Sequence, residues 1–197
     1  MITLLFEEEE MKVKISDKVS ASVESAKALN QGINLTAHWE WEHFRGGKLI
    51  DQWEYDNVCT DEGLDHVLDS TFDAATQITA WYAAIFEDDV IPDGDTTYAV
   101  PVFTESEAYD EATRPAYDPA AAASQVTTNV ASKAVFTINA TKTIYGAALV
   151  GGGTDGDTKG DVEGGGTLFS ASKFGAAKNV VADDILNVTI AITLADS

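Results

Sequence analysis

Chemistry in this chain would be sought first among its acids. Asp155, Asp157, Asp161 and Glu163 lie in the run Gly151-Gly-Gly-Thr-Asp-Gly-Asp-Thr-Lys-Gly-Asp-Val-Glu-Gly-Gly-Gly166. Carboxylates spaced along a glycine-rich loop resemble an oxygen-ligand calcium site. Two departures weigh against it. Lys159 stands where a third acid is expected, and the twelfth position is Gly166 rather than a bidentate Glu. The loop is therefore expected to be a mobile hairpin tip. It has no Gly-Lys-Ser/Thr ending, which excludes a phosphate-cradling loop.

Glu40, Glu42 and Glu54 are the second set, because paired carboxylates perform glycoside hydrolysis. Strand alternation explains them more simply as the solvent face of a hairpin. Arg114, before Pro115 and between Glu111 and Tyr117, is expected in a structural ion pair rather than as a substrate clamp. The single Cys59 excludes a disulfide framework and a cysteine-rich metal site. It is expected to be a small buried residue; nothing points to His38, His43 or His66 as its base. The Asn-x-Ser/Thr sequons at Asn34, Asn139 and Asn187 are read as chance. No catalytic, cofactor or metal site is expected, and hence no enzyme.

Charge narrows the partners. Thirty-three acids against 12 bases give a net charge of −21. That surface repels phosphates, so nucleic-acid binding is disfavoured. No apolar run reaches membrane-spanning length, so no membrane is expected as a partner. Met1–Phe6 is too short for a signal-peptide core, and Glu7 to Glu10 follow it directly. Met1 and Met11 are the two candidate starts. A chain of 197 residues suits one domain with an arm. The expected division is an arm over 1–30, with a helix from Ser16 to Leu29 or an extended segment as its two readings, and a domain over 31–197.

The elements that must position these residues begin with an aromatic hairpin. Leu35–Phe44 and Leu49–Asn57 alternate, with Trp39 and Trp41 on one face of the first strand and Trp53 and Tyr55 on one face of the second. Parity sets the turn. A plain two-residue turn at Gly46-Gly47 would place Trp41 against Gln52. A loop with one more residue places Trp41 against Trp53 and Trp39 against Tyr55. Aromatic cross-strand pairs contribute roughly 0.2–1 kcal/mol each, so a three-residue or bulged loop with a glycine at positive φ is predicted. A helix over about 60–72 follows, with Thr60 as N-cap and Leu64, Val67, Leu68 and Phe72 as its apolar stripe. Gly63 implies close packing there, against a Trp ring.

Further strands are predicted at 77–86, 98–103 (an edge), 134–140, 143–150, 167–171 and 185–194. The stretch from Glu105 to Ser124 is expected to be irregular. The fold class expected is mainly β: an antiparallel β-sandwich, jelly-roll or Ig-like, with one short helix.

Several segments together resemble a family of tailed-bacteriophage virion structural proteins. They are Asn57–Asp69, Thr79-Ala-Trp-Tyr82, Asp95-Thr96, Tyr109–Pro115, Ala134–Ala140, Ile144-Tyr-Gly146, Gly166-Thr-Leu-Phe169 and Asp184–Thr189. The resemblance runs from about Ala28 to the C-terminus and rests on order and spacing. A Gly- and Trp-rich stretch that many relatives carry around Thr96 to Thr104 is reduced here. The resemblance implies a non-catalytic particle component. The expected role is capsid decoration (cement) on the capsid exterior, with the major capsid protein as partner and a homo-oligomer, a trimer, as the assembly. The alternative is a tail-associated or fibre-like protein that meets the host surface.

Overall fold

The computed structural model describes residues 32–196. The arm over 1–30, and the helix within it, lie outside the described residues. The elements in chain order are β1 (Ile33–Arg45), β2 (Lys48–Cys59), α1 (Asp61–Phe72), β3 (Trp81–Phe86), β4 (Ala116–Tyr117), β5 (Val126–Thr128), β6 (Ala134–Thr137), β7 (Lys142–Gly151), β8 (Thr167–Val180) and β9 (Ile185–Asp196).

The aromatic hairpin has the register that parity demands. Trp41 faces Trp53 and Trp39 faces Tyr55. The turn holds only Gly46 and Gly47, at φ 56° and 74°. Arg45 faces Lys48 and Phe44 faces Leu49, while His43 faces Asp51. Ile50 is thus the extra residue, a bulge that returns every aromatic to one face. The Trp41 and Trp53 rings stack with centroids 5.5 Å apart. Phe174 of β8 meets Trp41, Trp53 and Tyr55 edge-on at 5.3, 5.5 and 5.0 Å. Aromatic pairs of this kind add about 0.5–1.5 kcal/mol each beyond their burial.

The strands form one curled antiparallel sheet, a half-barrel, in the order β4-β3-β7-β8-β2-β1-β9-β5, with β6 also on β9. Its two flanks meet through only two residue pairs, Val58–Ala171 and Cys59–Ser170. Inside the curl, Trp39, Trp41, Phe136, Leu186 and Ile190 from one flank meet Ile85, Ile144, Leu149 and Phe174 from the other. A smaller core covers the outer face of β3, β7 and β8, where Tyr98 and Phe103 pack on Ala84, Ala148 and Leu168. This second cover explains why β3 and β7 read as nearly continuous apolar runs.

Several predicted boundaries need correction. β3 begins at Trp81, and Gln77 to Ala80 precede it outside any strand. Residues 98–103 form no strand; they bend over the outer core around Pro101, which has no N–H for a ladder. β8 runs to Val180, well beyond the five residues its sequence suggested. The stretch 105–124 is irregular apart from β4.

The helix is capped as predicted, but it is rotated. Thr60 Oγ1 accepts from the Gly63 N–H at 3.1 Å, and its hydroxyl donates to the Leu168 carbonyl. A Cβ on Gly63 would lie 2.5 Å from the Phe169 carbonyl oxygen and 2.8 Å from its Cα. The close neighbour is therefore the backbone of β8 and not a Trp ring. That approach turns Gly63, Val67 and Ser70 inward. Leu64, Leu68 and Phe72, three of the four residues in the predicted stripe, are consequently exposed, Phe72 by 82%. Gly63→Ala is expected to destabilise the fold by about 1–3 kcal/mol, because displacing backbone outweighs the roughly 0.8–1 kcal/mol that Ala adds in helix propensity. A denaturant titration showing the variant more stable than the parent would refute this packing.

The helix ends in a left-handed residue that is not glycine. Asp73 and Ala75 both donate their N–H to the Asp69 carbonyl, at 3.0 and 3.2 Å. Between them Ala74 sits at φ 54°. This is the position where glycine normally closes a helix, since a Cβ there costs energy. Ala74→Gly is expected to raise stability by about 0.5–1 kcal/mol, measured by the same titration.

Candidate functional site

The acidic loop joins β7 to β8 as a hairpin tip, but it is tied down at several points. Arg114 lies beneath it, 3% exposed. Its Nε and Nη2 donate to the Glu105 carboxylate, with the Nη2 contact at 2.6 Å. Its Nη1 donates to Tyr98 Oη at 3.0 Å and to the Gly156 carbonyl at 2.9 Å. Nη2 also donates to the Asp161 carbonyl at 2.9 Å. The Arg114 N–H donates to the Asp157 carbonyl at 2.8 Å. Every side-chain N–H therefore has an acceptor within the protein. The expected ion pair is present, with Glu105 as the partner, and no donor is left to clamp a substrate. Burial opposes the guanidinium charge, but Glu105 more than compensates and holds its pKa above the ordinary value.

Among the described residues, the four loop acids form no group of converging ligand atoms. Asp161 accepts from the Tyr98 hydroxyl at 2.8 Å and from the Gly164 N–H at 3.1 Å. The Tyr98 hydrogen bond holds the Asp161 carboxyl below its usual range. Lys159, the residue that spoils the calcium pattern, donates to the Tyr109 carbonyl at 2.7 Å and lies 3.9 Å above the Tyr109 ring. It is a tether. The loop is thus a set of anchors laid over the small outer core, rather than a free tip.

Among the described residues, the group whose metal-ligating atoms do converge is His38, Glu40 and Glu54, all within 4.8 Å of one another. Glu40 and Glu54 face each other directly across the hairpin. Asp56 accepts from His38 Nδ1 at 2.8 Å. Strand alternation puts these side chains on the outer face, opposite the Trp rings. The two glutamates are exposed, and no buried donor is aimed at them, so we assign no ion there. Glu42 instead pairs with Lys133 at 2.9 Å, and that contact holds its carboxyl below the ordinary value. A glycosidase acid needs the opposite shift. Trp41, 1% exposed, turns its ring into the core and offers a sugar no platform.

The interior holds a polar cluster that the sequence did not reveal. His43 Nε2 lies 2.8 Å from Asp184 Oδ2. Arg45 reaches both Asp184 oxygens, each at 2.7 Å. The Val181 N–H donates to Oδ2 at 2.9 Å. Asp184 has no exposure. A His beside an Asp is half of a nucleophilic triad, but here both groups are buried and Arg45 occupies the carboxylate. The cluster fastens the end of the aromatic hairpin to the β8–β9 turn. Its partners are 139 and 141 residues apart, so no local motif signals it.

Cys59 is half-buried, and its Sγ contacts the Leu35 carbonyl at 3.6 Å. Burial pushes the thiol up to about 11, away from the thiolate a nucleophile requires. No protein-family model matches the chain, and no curated protein matches it.

Proposed function

We propose that this chain is a non-enzymatic structural protein of a phage particle, a capsid decoration (cement) protein that binds the lattice of the major capsid protein. One observation carries the reading. The apolar stripe of α1 faces outward, with Leu64, Leu68 and Phe72 exposed on a helix whose cap and first turn are fixed to β8. An apolar row held on a rigid element is a means of docking to a protein. The net charge of −21 keeps such a surface soluble and off nucleic acid. The segment order that resembles virion structural proteins supports the same reading. In it the curl of the sheet is the jelly-roll or Ig-like sandwich of such proteins, its two flanks meeting at the two-pair junction between β2 and β8. A homotrimer on the capsid exterior is the assembly this role implies.

The experiment is reconstitution. Particles lacking the protein are mixed with the parent chain or with a Leu68→Ser/Phe72→Ser variant, and bound copies are measured on stained gels. The parent chain is expected to saturate at hundreds of copies per particle and the variant to bind far less. Saturation at a few to a few dozen copies would support the tail-associated alternative. Equal binding by the variant would remove α1 as the docking element.

A further inference from the structure

The half-barrel has an opening that neither the anchors nor the exposed stripe explains. Six strands each contribute one core-facing residue to it: Leu35, Trp81, Tyr117, Leu149, Phe169 and Ile192. The inner face of α1 closes one side with Val67 and Ser70, while Gln77 and Thr79 stand at the rim. The cavity measures about 470 Å³. That lies within the range of sites that hold drug-sized ligands, which occur at the mouths of barrels.

Its lining is unlike the rest of the surface. The chain carries 33 acids in 197 residues, yet among the described residues no Asp, Glu, Lys or Arg borders this cavity. The one ionisable neighbour with a basic ring, His66, accepts the Ile78 N–H at its Nε2, which ties up that lone pair. The Ser70 hydroxyl donates to the Val67 carbonyl at 3.2 Å. The Tyr117 hydroxyl donates to the Thr127 carbonyl at 3.2 Å. The polar groups around the walls are thus satisfied internally, and the walls present aromatic and aliphatic carbon. Trp81 is only half-buried and meets His66 and Phe169 edge-on at 5.7 and 5.4 Å.

We infer that this opening is a binding site for a neutral, mainly apolar small molecule carrying a planar ring. A charged ligand would lose its hydration and find no counter-charge among these walls. A neutral ring gains apolar burial and offset or edge contacts with Trp81, Tyr117 and Phe169. The exposed amide of Gln77 and hydroxyl of Thr79 at the rim supply orientation. The site is separate from the outward stripe of α1, so it stands apart from the docking role proposed above.

The test titrates the full chain with N-phenylnaphthylamine, a neutral probe that fluoresces in apolar surroundings. Its sulfonated analogue, anilinonaphthalenesulfonate, has the same rings plus one negative charge. The expected result is saturable binding of one neutral probe per chain, with the sulfonate at least about tenfold weaker. Ser70→Trp, which fills the cavity from the helix side, is expected to weaken the neutral probe by about tenfold or more. Thr79→Trp at the rim is a second occluding variant should the first fail to fold. Leu68→Ser/Phe72→Ser is expected to leave affinity within about twofold, because that stripe lies outside the cavity. Three results would each overturn the inference: no saturable binding, equal affinity for the sulfonate, or binding lost in the stripe variant and retained in folded occluding variants.

Discussion

Arg114→Met is expected to cost about 3–5 kcal/mol, the loss typical of breaking one side of a buried ion pair. At this chain length that corresponds to a fall in Tm of very roughly 8–15 °C. Methionine approximates the aliphatic stem but supplies none of the five donors. The damage is more than a lost attraction. Glu105, whose side chain is 7% exposed, would keep its charge in the interior with its main partner gone. Tyr98 Oη and the carbonyls of Gly156 and Asp161 would each lose the donor that satisfies them. Arg114→Lys is expected to recover only a minor part, because a single ammonium cannot reproduce the planar fork that meets Glu105 and Asp161 together.

A second substitution separates the components of that loss. Glu105→Gln in the Arg114→Met background removes the stranded charge. The double variant is expected to be more stable than Arg114→Met alone, a coupling visible in a double-mutant cycle. Additive losses would mean that the two side chains do not share one network. Gly160 also donates its N–H to Glu105 at 2.9 Å, so the loop over the outer core is expected to loosen first. Faster hydrogen exchange over 151–166 than over β7 itself would report this.

How much of this was legible in the sequence depends on the range of the interaction. The hairpin register was legible, because parity and aromatic pairing act between neighbours and a bulge is the one device that reconciles a Gly-Gly turn with Trp41 facing Trp53. The cap at Thr60 was legible for the same reason. The orientation of α1 was not. Periodicity identified an apolar stripe, but Gly63 against the backbone of β8 decided which face turns inward, and that partner lies more than 100 residues away. The length of β8 was hidden by Lys173, Lys178 and Asn179, polar residues on a strand that is covered on one face only at that end. Arg114 was legible as an ion-pair residue, but not its partner Glu105, nor its service to the acidic loop. The Asp184 cluster and the half-barrel opening were invisible. Each is assembled from residues that look ordinary in their own segments.

Asp184→Asn carries the other large expected effect, and it comes with a pH signature. The carboxylate accepts from Arg45, the Val181 N–H and His43, and together these overcome the penalty of burial and hold its pKa far below the ordinary carboxylate value. A carboxyl depressed in the folded state stabilises the fold fully above its unfolded pKa of about 3.9. That contribution fades as pH falls below about 5 toward the folded value. The amide that this substitution introduces would turn a donor toward Arg45, Val181 or His43, all of which are donors in the parent. The expected loss at neutral pH is about 3 kcal/mol, at the low end for a buried pair because the Arg45 head is 45% exposed. Acidification also relieves repulsion within a chain of net charge −21, which favours the folded state and can mask the effect in either protein measured alone. The difference between the two removes that common background. The gap between parent and Asp184→Asn is therefore expected to be widest near neutral pH and to narrow steadily as the pH falls from about 5. A gap that stays constant down to about pH 3 would mean that Asp184 is not ionised in the folded protein, and the cluster would have to be understood as neutral hydrogen bonding.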